Sequence, residues 1–220
     1  MKTQTNLLDL GLRDYAEVLE LQRKLVELRA GKLIPDSLIL VEHPHVFTVG
    51  KAVSGEIPDQ VDGVPVFRIE RGGQWTYHGP GQLVGYPILD LNERERDIHK
   101  FLRSMEETLI LTTEKFGVTG GRGEQTGVWV GRKKIASIGA AIRNWVSFHG
   151  FALNVNTDLT YFHKITPCGF QGSTMTSMNT QLGHELNFTE VKEQLVDSFE
   201  KIFDVNLSRV ATEALQATVT

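Results

Sequence analysis

The sequence predicts an α/β (α+β) fold, a mixed, largely antiparallel sheet flanked by helices. Three observations point to it. Short apolar runs bounded by glycine, proline and charged residues recur along the chain, several close enough to pair as hairpins. Three longer segments repeat their apolar residues at helical spacing. The strict strand–helix alternation that a doubly wound parallel sheet needs is absent.

In chain order, the first helix spans residues 14–30. Asp14 with Glu17 resembles a capping box, Val18, Leu21, Leu25 and Leu28 form the apolar stripe, and Gly31 supplies a stop. Leu38-Ile39-Leu40-Val41 reads as a buried strand over 37–42, with another over 46–49. Strands at 64–69 and 75–78 follow, then one at 83–89 after the Gly79-Pro80-Gly81 turn. Asp97 opens a helix that turns Ile98, Phe101, Leu102, Met105 and Leu109 inward and closes near Gly117. Segments 127–130 and 135–138 form a hairpin across the charged turn Gly131-Arg132-Lys133, and strands at 141–145 and 149–155 come next. Thr189 caps a last helix carrying Val191, Leu195, Phe199 and Ile202.

A chain of 220 residues, 40% hydrophobic and 23% charged, fits one globular domain spanning 1–220. No apolar run nears the ~20 residues that cross a bilayer, and Met-Lys-Thr-Gln-Thr-Asn at the start lacks the apolar core of a signal peptide. No membrane partner is therefore expected. A single cysteine excludes an internal disulfide and fits a reducing, cytoplasmic setting. The net charge of −4 argues against a broad nucleic-acid footprint, although Arg132-Lys133-Lys134 supplies a local basic patch.

Two features carry chemistry. The stretch 71–86 packs Gly72, Gly73, Gly79, Gly81 and Gly85 among Arg71, Trp75, Tyr77, His78 and Tyr86, a strand–turn–strand unit shaped around something bound. About ninety residues on, the lone Cys168 sits between Pro167 and Gly169, on a turn rather than inside a regular element. A lone cysteine is ordinarily a small buried hydrophobe. The turn weakens that reading, because exposed turns carry reactive groups. With an ordinary pKa near ~8.5 the thiol is mostly protonated at neutral pH, so a nucleophilic role needs a basic or cationic neighbour. His78, His149, Lys133 and Lys134 are the candidates, and spacing does not choose among them. A solvated hairpin tip is the default for both lysines.

Metal binding at Glu42-His43-Pro44-His45 lacks a matching second cluster, so no metal is assigned. The glycine-rich segment 117–123 does not lie at a strand-to-helix junction and reads as a flexible loop rather than a phosphate cradle.

Arg71-Gly72-Gly73-Gln74-Trp75-Thr76-Tyr77-His78-Gly79-Pro80-Gly81-Gln82, followed by Tyr86-Pro87, resembles the signature of the octanoyltransferases of lipoate biosynthesis. Glu42-His43-Pro44 through Thr48-Val49-Gly50, Thr126-Gly127-Val128-Trp129 and Lys134-Ile135-Ala136-Ser137-Ile138-Gly139 are similar to further blocks of that family. So are His149-Gly150-Phe151-Ala152-Leu153-Asn154-Val155 and Ile165-Thr166-Pro167-Cys168-Gly169, all in the family's order. The resemblance covers about 37–180. It implies a fold similar to the catalytic domains of biotin and lipoate protein ligases. It also implies transfer of an octanoyl group from octanoyl-acyl carrier protein to a lysine of a lipoyl domain. The implied acceptors are the lipoyl domains of 2-oxoacid dehydrogenase complexes and the glycine-cleavage H protein. Cys168 falls on the family's acyl-accepting nucleophile and Lys134 on its lysine partner. Arg71, Gly72, Gly73, Gln74, Trp75, Thr76, Tyr77 and His78 fall on substrate-contacting segments, as do Ser137, Ile138, Gly139, Gly150, Phe151 and Ala152. An acyl thioester is already activated, so the resemblance implies neither ATP nor another cofactor. An ATP-dependent lipoate or biotin ligase, which would share the fold, is the rival reading; a thioesterase and a non-enzymatic carrier-binding module are two more.

Overall fold

The computed structural model describes residues 2–165 and 174–211. The strands are β1 (Thr3–Leu12), β2 (Ser37–Glu42), β3 (Val46–Val49), β4 (Gln60–Val61), β5 (Val64–Arg68), β6 (Trp75–His78), β7 (Gln82–Ile88), β8 (Gly121–Arg122), β9 (Gly127–Val130), β10 (Lys133–Arg143), β11 (Val146–Asn154) and β12 (Val205–Arg209). The helices are α1 (Tyr15–Ala30), α2 (Ile98–Glu114), α3 (Met178–Leu182) and α4 (Phe188–Phe203).

Among the described residues the larger sheet runs β12-β1-β2-β7-β11-β10-β9-β8 and the smaller β4-β5-β3-β6. In the larger sheet β1 pairs in parallel with β12 and β2, and every other pairing is antiparallel. The mixed, largely antiparallel sheet is thus as expected.

The continuous apolar run of β2 follows from burial on both faces. Leu38 and Leu40 join the core built with Met105 and Leu109 of α2 and Leu195 and Phe199 of α4. Ile39 and Val41 join the opposite core with Val18, Leu25 and Val26 of α1. The period of two also splits Leu83 from Val84 on β7 and Phe151 from Ala152 on β11. The smaller sheet packs Phe47, Val64 and Tyr77 against Phe162 and Met175. The loop entering β6 crosses between the sheets, where Gly72 N–H donates to Ala140 O at 3.3 Å.

Four expectations change. The segments read as strands at 135–138 and 141–145 are one strand, β10, and the chain reverses at Asn144 and Trp145, whose φ values are 52° and 61°. Two positive φ values in succession make a hairpin turn that is commonly built with glycine, and no glycine marks it here. The last helix is capped by Asn187, which accepts from the N–H groups of Thr189 and Glu190, so Thr189 is inside the helix. Strands β1 and β12 went unread because their polar and apolar residues do not alternate cleanly. Residues 121–122 in the segment read as a flexible loop pair with β9, and Arg122 bridges Glu106 and Glu107 of α2.

Candidate active site

An inner pocket of about 50 Å³ lies beside β6, β10 and β11. The alternation of β6 decides which of its residues line it. Thr76 and His78 face the pocket, while Tyr77 joins the smaller sheet's core with Trp75 packed against it. Arg71, Gly72 and Gly73 enter from the crossing loop, Ser137, Ile138 and Gly139 from β10, and Gly150, Phe151 and Ala152 from β11. Twelve of the fourteen residues expected to contact substrate (those without Trp75 and Tyr77) therefore surround this pocket or, for Gln74, the groove beside it. Gly150 has a packing reason: a Cβ there would run into Gly85 O and lie 2.6 Å from Pro87 Cδ. Arg71 is buried, and its guanidinium donates to Thr48 O and Thr48 Oγ1 at 2.9 Å and to Gly72 O at 3.0 Å, which curls the loop back on itself.

Sequence reading missed Tyr15 and Ile69 as lining residues, placed Tyr86 only in the 71–86 unit as a whole and held His149 only as a candidate base. No motif pointed to Tyr15, which opens α1. Tyr15 stacks on His78 with ring centroids 6.0 Å apart and meets His43 edge-on at 5.1 Å. His43 Nδ1 donates to Arg13 O at 2.8 Å, which leaves Nε2 to accept from Tyr86 OH at 2.9 Å. His45 Nδ1 lies 2.7 Å from Tyr77 OH, and Glu42 accepts from Gly81 N–H. The Glu42-His43-Pro44-His45 stretch thus serves internal hydrogen bonds.

Burial makes these imidazoles weak bases. It lowers His43 to about 4 and His78 to about 3, the latter helped by neighbouring His43. His149, at a left-handed φ of 54°, is lowered to about 4 by burial despite Glu70 Oε2 at 3.6 Å. Desolvation likewise raises the Tyr15 and Tyr86 hydroxyls.

An outer groove of about 490 Å³ shares Gly72, Gly73, Ile138 and Gly139 with the inner pocket and adds Lys134, Gln74, Thr126 and, from α2, Ile98 and Leu102. Of the two adjacent lysines, Lys133 is exposed and Lys134 is 3% exposed, with Nζ 5.3 Å from the Trp129 ring centre. The solvated-tip reading holds for Lys133 and fails for Lys134. Gly127, at φ 135°, makes the room: a Cβ there would collide with Lys134 Cε and lie 2.6 Å from Ala136 O. Buried Glu106 of α2 accepts from Gly127 N–H at 3.0 Å.

A chain of buried hydrogen bonds connects pocket and groove. His78 Nδ1 donates to Gln82 Oε1 at 2.8 Å, Gln82 Nε2 to Asn154 Oδ1 at 2.9 Å, and Asn154 Nδ2 to Thr176 O at 2.9 Å. Thr176 N–H then donates to Lys134 O at 3.0 Å, and Met175 bridges to Lys134. Cys168 lies outside the described residues.

A small sheet beside a larger mixed one is a fold that this chain shares with solved lipoate- and biotin-protein ligases. Lipoate-protein ligase A bound with ATP superposes with a TM-score of 0.71 at 18% identity, covering 100% of this chain and 94% of that one. Biotin protein ligase from Aquifex aeolicus gives 0.54 at 12%, covering 93% and 70%. The lipoyl protein ligase A/B catalytic domain model matches residues 14–200. An octanoyltransferase of Syntrophotalea carbinolica is 47% identical over 93% of this chain and 98% of its own length. That of Flavobacterium psychrophilum is 42% identical over 93% and 98%. The chain belongs to the lipoyl protein ligase A/B catalytic-domain family and, within it, to the octanoyltransferases, which are acyltransferase enzymes.

Proposed function

We propose that residues 1–220 act as one cytoplasmic catalytic domain that moves an octanoyl group from octanoyl-acyl carrier protein, through a Cys168 thioester, to a lysine of a lipoyl domain. The acceptors are the 2-oxoacid dehydrogenase complexes and the glycine-cleavage H protein. The observation that carries this reading is Lys134, a lysine buried in the wall of the outer groove that adjoins the inner pocket. Met175, seven residues past Cys168 in the chain, forms a bridge with Lys134. The histidines are poor rivals: with His78 near 3 and His149 near 4, neither imidazole holds a thiol proton at neutral pH.

In the first step the Cys168 thiolate attacks the carrier thioester. The tetrahedral intermediate collapses to an acyl-enzyme, and the Lys134 ammonium gives its proton to the departing carrier thiolate. In the second step neutral Lys134 takes a proton from the acceptor lysine, whose nitrogen attacks the thioester and releases the Cys168 thiolate. Backbone N–H groups of the glycine-rich walls are the natural oxyanion donors. Octanoyl burial contributes about 0.8 kcal/mol per CH₂. A cavity of ~150 Å³ accommodates benzene, so a pocket of about 50 Å³ admits eight carbons only when its lining side chains shift.

Incubation with octanoyl-carrier should add one acyl mass, removable by hydroxylamine and absent from Cys168→Ala, with no ATP present. In Lys134→Ala the adduct should form far more slowly. An adduct that persists in Cys168→Ala, or an absolute ATP requirement, overturns the assignment.

A further inference from the structure

A second hollow, of about 350 Å³, opens next to the glycine-rich loop and is lined by Lys51, Glu70, Gly72, Ala141, Arg143 and Phe148, among others. Its two cations are exposed, and among the described residues neither forms an ion pair. The single carboxylate, Glu70, is already held by Arg23 at 2.8 Å. The hollow therefore presents uncompensated positive charge on a chain whose net charge is −4.

Its cations stand on fixed backbone. Lys51 N–H donates to Arg71 O, Gly50 N–H to Gln74 O and Ala52 N–H to Gly73 O, each at 3.1 Å, so the Lys51 segment is laced to the loop that walls the inner pocket. Arg143 ends β10, paired with Val146 across the hairpin. Gly72 lines the hollow, the inner pocket and the outer groove alike. The hollow also shares Ala140 and Ile142 with the groove, so its charge borders that groove.

We propose that Lys51 and Arg143 receive the phosphodiester at the base of the donor's pantetheine arm. This rests on the acyl-carrier reading above. A thioester-bearing arm carries one fixed anion, and two cations on rigid backbone beside the pocket give it charge-assisted hydrogen bonds. The contact would set the arm's entry, since the octanoyl group itself carries no charge to be read.

Three octanoyl donors test it: the carrier protein, phosphopantetheine and pantetheine, the last lacking the phosphate. The wild-type enzyme should show kcat/KM about tenfold higher with the phosphorylated small donor than with the other, the size of a charge-assisted contact. In Lys51→Gln/Arg143→Gln that preference should vanish and carrier turnover should fall about as much, with octanoyl-pantetheine unchanged. Arg132→Gln/Lys133→Gln, at the exposed hairpin tip, should keep the preference. If carrier turnover falls while the two small donors keep their ratio, the cations read acidic side chains of the carrier and the proposal is overturned. It is also overturned if all three donors suffer equally, because the residues then shape the pocket. A wild-type enzyme that transfers octanoyl from none of the donors overturns the acyl-carrier reading instead.

Discussion

Two neighbouring lysines, Lys133 and Lys134, differ in exposure because they are successive residues at the start of β10, and the strand shows one to solvent and the other to the groove. The buried one depends on a residue with no side chain. At Gly127 a methyl group would meet Lys134 Cε and Ala136 O, in a backbone conformation that non-glycine residues seldom take. Gly127→Ala should thus displace the amine. A shift of ~1 Å in a catalytic group costs about a hundredfold, and kcat/KM should fall by that order in a protein that still folds. Gly121→Ala is the control, since its Cβ meets nothing within 4 Å and its φ is not positive; its kinetics should match the parent. Parental rates in folded Gly127→Ala would show that Lys134 is not tightly placed.

Elements meet at the site through the buried hydrogen bonds that run from β6 through β7 and β11 to Thr176 and β10. Asn154 is one link between the sheet and the segment that follows Cys168. In Asn154→Leu the side chain keeps its size, but Gln82 Nε2 loses one acceptor and Thr176 O its Asn154 donor. Urea unfolding should register a loss of about 1–3 kcal/mol. Acyl-enzyme formation should slow in kcat while the donor KM stays near parental. A variant with lost stability and normal acylation would confine this network to folding.

For the whole molecule, buried neutral histidines tie stability to pH. His43 and His78 take up a proton at about 4 and 3 when folded but near 6.5 when unfolded, because burial disfavours the cation. Between those values the unfolded state binds more protons, so stability rises with pH and is lost as pH falls below 6.5. His149 acts in the same direction. The slope approaches about 1.4 kcal/mol per pH unit for each histidine. Urea midpoints at pH 7.5, 6.5 and 5.5 isolate this effect, since carboxylates titrate lower. Midpoints that do not change would mean the imidazoles are solvated.

From the chain alone came the long helices α1, α2 and α4, whose apolar stripes are local, and the buried strands such as β2, whose apolar run is contiguous. The glycine-rich block at 71–78 was legible from its own residues, whereas 137–139 and 150–152 were legible only through their resemblance to the octanoyltransferases. Tertiary structure decided what depends on partners distant in sequence. Tyr15 lines the pocket because α1 is laid across β7 and β11. Trp75 and Tyr77 turn away from it because the period of β6 commits them to a second core. The hairpin at Asn144-Trp145 closes without glycine because β10 and β11 are already paired along their length. Lys134 is buried, and Lys133 is not, only once Gly127, Trp129 and Thr176 have been assembled around β10. Local pattern reports which way a residue prefers to point, and packing decides what it then meets.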